Sequence, residues 1–265
     1  MTARRYGASY RFAVVLLKPP LLAFTRRDWR GAEYLPRDQG FVAVTNHISY
    51  VDPFTFAHFL HDQGYPPRFL AKEDVFRLPV LGRIVRGAGQ IPVYRETADA
   101  GKALVAALEA VRQGECVAIY PESTLTRDPD LWPMVGKTGA ARVALMTGCP
   151  VIPIAQWGAQ EILSPYGKRP HLLSRHVSHV HAGPPVDLSD YQARPLDAAT
   201  LREATETIMS ALTVLLEGIR GEKAPERRWN PRDHGQPRTG NPNRRDDGRQ
   251  ERGGEGRSAE RGGTA

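Results

Sequence analysis

A histidine and an aspartate, His47 and Asp52, are the pair of residues in this chain best suited to acid–base chemistry. Both lie in the stretch FVAVTNHISYVDPF, residues 41–54. A carboxylate that holds one imidazole nitrogen leaves the other nitrogen free to take a proton from a hydroxyl group. A purely structural alternative exists, because an aspartate followed by Pro53 also suits the start of a helix. His47 would then be one polar loop residue among eight histidines.

Alternating apolar runs and helical patterns predict the elements that would position this pair. Predicted strands cover residues 41–45, 68–70, a run ending at 95, 116–120, 149–157 and a run beginning at 176. Predicted helices cover about 52–61, 99–112, 137–146 and part of 196–219. Prolines 150 and 153 indicate an edge strand or irregular pairing for 149–157. The pattern predicts a single α/β domain with a mixed, mostly parallel sheet flanked by helices.

The two ends of the chain differ from this pattern. The apolar run 13–24 is shorter than the roughly 20 residues that span a bilayer, and Lys18 and two prolines interrupt it. We expect residues 1–34 to form an N-terminal interfacial helix at a membrane surface, with a packed core helix as the alternative. Residues 35–220, between these two ends, are predicted to form the domain. Residues 221–265 are rich in charges of both signs and in glycine, which predicts a disordered polyampholyte tail.

Composition restricts the class of partner. The net charge is +7 and the pI is about 9.6, which favours an anionic partner. The sequence contains no zinc-ligand spacing and no nucleic-acid recognition motif, so a phosphate-bearing lipid is favoured over nucleic acid. Cys116 and Cys149 lie in apolar runs, which predicts buried, reduced thiols and not a disulfide.

Polar side chains follow four of the predicted strands: His47, Lys72, Arg95 and Glu122. The carboxyl ends of parallel strands meet at one edge of a sheet, so these residues would line one cleft together with the hydroxyls of residues 123 and 124. Cations beside a hydroxyl-activating histidine indicate a substrate that carries both a hydroxyl and a phosphate.

Four blocks in this order resemble those of the glycerolipid acyltransferases, typified by 1-acyl-glycerol-3-phosphate acyltransferase. The blocks are NHISYVD at 46–52, GQIPVYR at 89–95, YPES at 120–123 and CPVIPIA at 149–155. The resemblance covers about residues 35–190 and implies the fold of glycerol-phosphate acyltransferases.

The resemblance also implies a mechanism. His47 would be the general base, oriented by Asp52, and the activated hydroxyl of a lysophospholipid would attack the thioester of acyl-CoA or acyl carrier protein directly. The expected product is phosphatidic acid. No metal or other cofactor is implied, and the N-terminal segment would dock the enzyme peripherally on the cytoplasmic face of the cell membrane. The residues expected to bind substrate are Asn46, Lys72, Arg95, Glu122, Ser123, Thr124 and Arg127.

The third block departs from the family pattern, which continues Glu-Gly-Thr-Arg. This chain has Ser123 in place of the glycine and Leu125 in place of the arginine. Arg127 is the predicted replacement for the missing cation. Two alternatives remain open: the same chemistry on a different lyso-, glyco- or amino-lipid acceptor, or a lipid-binding relative without activity.

Overall fold

The computed structural model describes residues 7–93 and 100–237. Within these ranges one seven-stranded sheet has the order β1-β7-β6-β2-β5-β3-β4. The strands are β1 Thr25–Arg30, β2 Phe41–Val44, β3 Pro67–Lys72, β4 Ile91–Val93, β5 Cys116–Ile119, β6 Val151–Trp157 and β7 His176–Ala182. The helices are α1 Ala8–Phe24, α2 Asp52–Asp62, α3 Glu73–Arg77, α4 Leu81–Gly87, α5 Ala100–Arg112, α6 Gly139–Thr147, α7 Ala159–Ile162, α8 Ser189–Gln192 and α9 Ala198–Arg220.

Strands β2 to β6 run parallel to one another, and the direction reverses only between β6 and β7. The mixed, mostly parallel sheet is therefore confirmed. The predicted edge position of β6 is wrong, because β6 pairs with β2 on one side and β7 on the other. Pro153 is tolerated there because a proline lacks only the backbone N–H donor. Its carbonyl still accepts a hydrogen bond from Gly183 N at 2.9 Å.

Helices cover both faces of the sheet, as its doubly buried strands require. On one face, Val42 and Val117 pack with α5, α6 and α9. On the other face, Phe41 and Ala43 pack with Phe56 of α2. All four residues of β2 are fully buried, so the strand that carries His47 is fixed from both sides.

The predicted boundary of the domain at residue 34 is wrong, because β1 (Thr25–Arg30) belongs to the sheet and pairs with β7. The sequence TRRDWR does not alternate apolar and polar residues, so this strand was not predicted. An edge strand can be highly charged, since one side of its backbone and most of its side chains remain in water.

The N-terminal helix α1 runs through Pro19 and Pro20, which were expected to interrupt the apolar run. Both prolines are exposed, so the carbonyls of Val15 and Leu16 that lose their helical donors lie on the solvent side. None of its residues is fully buried, although the helix packs on α4 and α2. Among the described residues, no helix combines the length and apolar character needed to cross a bilayer.

The predicted start of disorder at Gly221 is also wrong for residues 221–237. Val135 N donates to the carbonyl of Trp229 at 3.1 Å, and a short 3₁₀ helix follows at Pro231–His234. The rings of Trp229 and His234 stack with centroids 3.5 Å apart. The hydrogen bond from Val135 N, together with one from Arg228 Nη2 to Ser210 Oγ at 3.0 Å, holds this charged segment on the domain. The rest of the predicted tail lies outside the described residues.

Candidate active site

The carboxyl ends of β2 and β5 lie side by side, and hydrogen bonds join the loops that follow them. Thr126 N donates to the carbonyl of His47 at 2.7 Å. In the other direction, His47 N donates to Oε1 of Glu122 at 3.1 Å. The prediction that strand ends bring His47 and Glu122 together is thus confirmed by the parallel pairing of β2 and β5.

His47 and Asp52 form a hydrogen-bonded pair with 2.9 Å between Nδ1 and Oδ2. The same carboxylate oxygen accepts from Ile48 N at 2.5 Å and from Ser49 N at 2.8 Å. Asp52 is the first residue of α2, but its side chain points back to the 47–49 loop and makes no helix-cap hydrogen bond downstream. Asp52 therefore does more than start the helix, because its carboxylate binds the imidazole and the loop before it.

Burial dominates the electrostatics of Asp52. Its side chain is fully buried, and this desolvation raises the pKa of the carboxyl, while His47 and the two backbone N–H groups oppose the shift. His47 remains 16% exposed at its side chain. A proton on Nδ1 that is donated to Asp52 leaves Nε2 as the basic nitrogen. The pair can thus present a base to a substrate hydroxyl.

Tyr120 packs on the imidazole and was missed in the sequence as a functional residue. Its ring centroid lies 4.3 Å from that of His47, and the rings are inclined by 32°. Tyr120 in turn stacks with Phe69 of β3 at 6.2 Å. Burial raises the pKa of Tyr120, so the phenol stays neutral. The aromatic residue that opens the YPES block therefore fixes the plane of the base.

Asn46 and Gln156 form a reciprocal clamp between the loop after β2 and the end of β6. Asn46 Nδ2 donates to the carbonyl of Gln156 and Asn46 Oδ1 accepts from Gln156 N, both at 2.9 Å. Gln156 Nε2 donates to the carbonyl of Asn46 at 3.1 Å. Asn46 is fully buried with both side-chain polar atoms occupied, which assigns it a framework role here, and its substrate-binding role stays a prediction. The sequence signal for Gln156 was a polar residue near the end of an otherwise apolar strand.

Glu122 likewise serves the framework. Besides accepting from His47 N, it accepts from Met134 N through Oε2 at 3.0 Å. Its side chain is 3% exposed, and burial raises the pKa of the carboxyl to about 8, although both backbone N–H groups favour the charged form. With both oxygens engaged by backbone, Glu122 is placed to hold His47 and the 131–136 loop. The predicted direct contact with substrate is not supported.

The altered third block forms the loop wall beside His47. Ser123 adopts φ +61°, the left-handed region in which the family's glycine meets no Cβ penalty. Thr124 is half-buried, and Leu125 is packed inside at 2% exposure. Arg127 is buried at 6% exposure and directly follows Thr126, which bonds to His47. The replacement role of Arg127 remains a prediction.

Two further cations, Lys72 and Arg95, were predicted to bind substrate. Lys72 ends β3 with its side chain 58% exposed and forms an ion pair with Asp74. Arg95 lies outside the described residues, so its predicted role stays a prediction.

The family model and the named relatives that match this chain are described as acyltransferases. A family model described as Acyltransferase matches residues 26–157, which contain the histidine, the aspartate and the 120–127 loop. A chloroplast 1-acyl-sn-glycerol-3-phosphate acyltransferase of Brassica napus is 34% identical over 142 residues, covering 53% of this chain and 40% of the relative. A protein of the same name from Borreliella burgdorferi is 28% identical over 170 residues, covering 63% of this chain and 65% of the relative. The matched regions thus span less than two thirds of either relative's own length.

The fold has a solved counterpart. The crystal structure of the 1-acyl-sn-glycerophosphate (LPA) acyltransferase of Thermotoga maritima superposes with a TM-score of 0.59 at 22% sequence identity. The superposition covers 79% of this chain and 82% of that one. At this identity the likeness establishes the shared architecture.

Proposed function

Since residues 26–157 make this chain a member of the acyltransferase family, we propose that it transfers a fatty acyl group from a thioester to the free hydroxyl of a lysophospholipid. The acceptor we propose is 1-acyl-glycerol-3-phosphate, which would give phosphatidic acid. The observation that carries the proposal is the buried Asp52 carboxylate bound to Nδ1 of a partly exposed His47.

In the proposed reaction His47 Nε2 takes the proton of the acceptor hydroxyl as its oxygen attacks the thioester carbonyl. The new C–O bond forms, the C–S bond of acyl-CoA or acyl carrier protein breaks, and the leaving thiolate takes the proton from the imidazolium. Asp52 stabilises that imidazolium and keeps the ring in the required tautomer.

The positions of the cysteines support direct transfer without an acyl-enzyme. Cys116 begins β5 and Cys149 precedes β6, so both lie at the amino ends of strands whose carboxyl ends face the site. Neither forms a disulfide, and burial raises the pKa of the Cys149 thiol, which disfavours the reactive thiolate.

The test is acyl transfer by the purified chain from palmitoyl-CoA or palmitoyl-acyl carrier protein to a panel of lyso-, glyco- and amino-lipid acceptors, read by mass spectrometry. Conversion of 1-acyl-glycerol-3-phosphate that requires His47 supports the proposal. Transfer only to another acceptor would keep the chemistry and change the substrate. No transfer from either donor would favour a lipid-binding protein.

Peripheral attachment to the cytoplasmic face of a membrane is part of the proposal. One side of α1 exposes Phe12, Val15, Leu16 and Leu22, with 73% of Val15 in solvent. The loop between α3 and α4 and the start of α4 add Leu78, Val80 and Leu81, and α4 packs on α1. We call these residues the apolar apron. An exposed apolar surface beside arginines such as Arg11 suits the interface of an anionic bilayer.

The double variant Val15→Glu/Leu16→Glu is expected to lose most binding to vesicles containing anionic lipid, because two charges then enter the apron. Sedimentation with vesicles measures the bound fraction. The matched control is Val105→Glu/Val214→Glu, which changes valines 62% and 64% exposed on α5 and α9. Equal vesicle binding by both double variants would place the membrane contact elsewhere.

Arg127→Ala is expected to raise the KM for 1-acyl-glycerol-3-phosphate by about 10- to 100-fold, the loss of a charge-assisted hydrogen bond of about 1.5–3 kcal/mol. A phosphate-free acceptor, monoacylglycerol, provides the control because its KM should not respond to this change. Arg127→Lys should recover part of the loss. An unchanged KM for the phosphorylated acceptor would show that Arg127 does not replace the family's arginine.

A further inference from the structure

A cluster of ligating side chains lies outside the proposed site, on the two strands at the far side of the sheet. Asp28 of β1 is the register partner of His179 on β7, and His181 is two residues further along β7. Asp28 Oδ2 lies 2.7 Å from His179 Nδ1 and 3.1 Å from His181 Nε2. One ligand atom from each of the three residues falls within 4.8 Å of the others.

The cluster is accessible and belongs to one face of the sheet. Alternate residues of a strand point to opposite faces, and Trp29, Val180 and Ala182 occupy the apolar core on the α2 face. The cluster therefore projects from the other face, where it keeps partial exposure: 28% for Asp28, 29% for His179 and 14% for His181. Strand β6 lies between the strands of the cluster and β2, whose following loop carries His47, and the proposed acyl transfer does not use the cluster.

We propose that Asp28, His179 and His181 bind a divalent transition-metal cation, with Zn²⁺ as the best match. Two imidazoles and one carboxylate are a common ligand set for this ion, whereas Mg²⁺ and Ca²⁺ prefer oxygen ligands throughout. Bond lengths near 2.0–2.1 Å place tetrahedral ligands about 3.3 Å apart. The two nitrogens already lie 2.7 and 3.1 Å from the carboxylate oxygen and within 4.8 Å of each other, so rotation of the side chains can bring the three atoms to these separations. The partial exposure leaves a fourth position for water.

Arg30 carries a positive charge next to Asp28, which would repel a metal cation bound at this cluster. Its Nε lies 3.1 Å from Oδ1 of Asp28 and its Nη2 lies 3.4 Å from Oδ2. The Arg30 side chain is 70% exposed and can withdraw Nη2 into solvent. Nε can then continue to donate to Oδ1, the oxygen that the metal does not need, as outer partners of metal-bound carboxylates do.

The cation would join β1 to β7. β1 directly follows α1, which carries part of the apolar apron, so the site would fasten the N-terminal unit to the sheet. Because the unfolded chain does not hold these three residues together, metal binding would stabilise the folded form.

The experiment is a calorimetric titration of the full chain with ZnCl₂, without a histidine tag and after dialysis against a chelator. We expect one saturable equivalent, and His179→Ala/His181→Ala should weaken it at least about tenfold. The control is His176→Ala, which removes another histidine of β7 that also pairs with a carboxylate, Glu161 at 3.1 Å. This variant should bind like the original chain.

A second control separates this cluster from the proposed catalytic pair. His47→Ala should still bind one equivalent of Zn²⁺. If His47→Ala lost Zn²⁺ binding while His179→Ala/His181→Ala kept it, the ion would be assigned to His47 and the proposal would be overturned. Absence of saturable binding to the unmodified chain would overturn it without any variant, so a failure of the double variant to fold does not prevent a decision. These readouts do not depend on acyl transfer.

Discussion

Replacing His47 with alanine is expected to lower kcat for acyl transfer about 10³-fold, within the range of about 10²–10⁴ for the loss of a general base. The KM for the acceptor should change little, because the imidazole acts on the hydroxyl proton while other groups bind the lipid. The effect should be large because the ring is held on several sides, by Asp52 at Nδ1 and by Tyr120 against its face. Initial rates at saturating palmitoyl-CoA measure it.

Asp52→Asn tests the second half of the same pair. An amide oxygen can still accept from Ile48 N and Ser49 N, so the loop should keep its shape, but the charge that stabilises the imidazolium is gone. We expect a kcat loss approaching that of His47→Ala, with retained circular dichroism. His176→Ala is the control for removal of a carboxylate-paired histidine elsewhere. A variant of either residue that keeps more than a tenth of kcat would contradict the proposed mechanism.

The pair could be predicted from sequence because its geometry is local. Five positions separate His47 from Asp52, and a tight loop entering a helix suffices to join them. The meeting of His47 with the Glu122 loop was also predictable, because parallel strands place their carboxyl ends at one edge. What the sequence could not supply was the direction in which each polar group points.

Asn46 and Glu122 illustrate this limit. Both follow strands that lead to the site, and both were expected to meet substrate. Asn46 instead pairs with Gln156, 110 positions later, and Glu122 with Met134 N. These partners depend on which strands become neighbours and on how a loop folds back, which no local pattern contains. Strand β1 was missed for a related reason: its charged sequence is compatible with a strand only because it lies at the sheet edge.

Glu122→Ala separates a framework role from substrate binding. Two N–H groups, those of His47 and Met134, would lose their acceptor, and each unmet donor costs about 1–3 kcal/mol. We therefore expect the free energy of unfolding to fall by about 2–6 kcal/mol, a large share of the roughly 5–15 kcal/mol of a typical domain. In the fraction that remains folded, kcat should fall more than acceptor KM rises, because the base moves while the lipid contacts remain.

Urea denaturation gives the stability and initial rates give the kinetic constants. Glu115→Ala is a matched control. Glu115 lies at the opposite end of β5 from Glu122, and its partner is the half-buried Arg68 of β3. An ion pair with this exposure is expected to contribute at most about 1 kcal/mol. If Glu122→Ala left the stability unchanged and raised only the acceptor KM, the carboxylate would have to be a substrate ligand, as the resemblance implies.

The pKa of Glu122 gives the same variant a pH signature. Burial raises this pKa from 4.5 to about 8 in the folded chain. Between these two values the folded state binds a proton that the unfolded state has released, so the contribution of this group to stability falls as pH rises through the interval. Glu122→Ala removes that contribution. The difference in free energy of unfolding between the original chain and the variant should therefore be larger at pH 6 than at pH 8.5. A difference that grew with pH would mean that the carboxyl is ionised when folded, with the backbone donors outweighing burial.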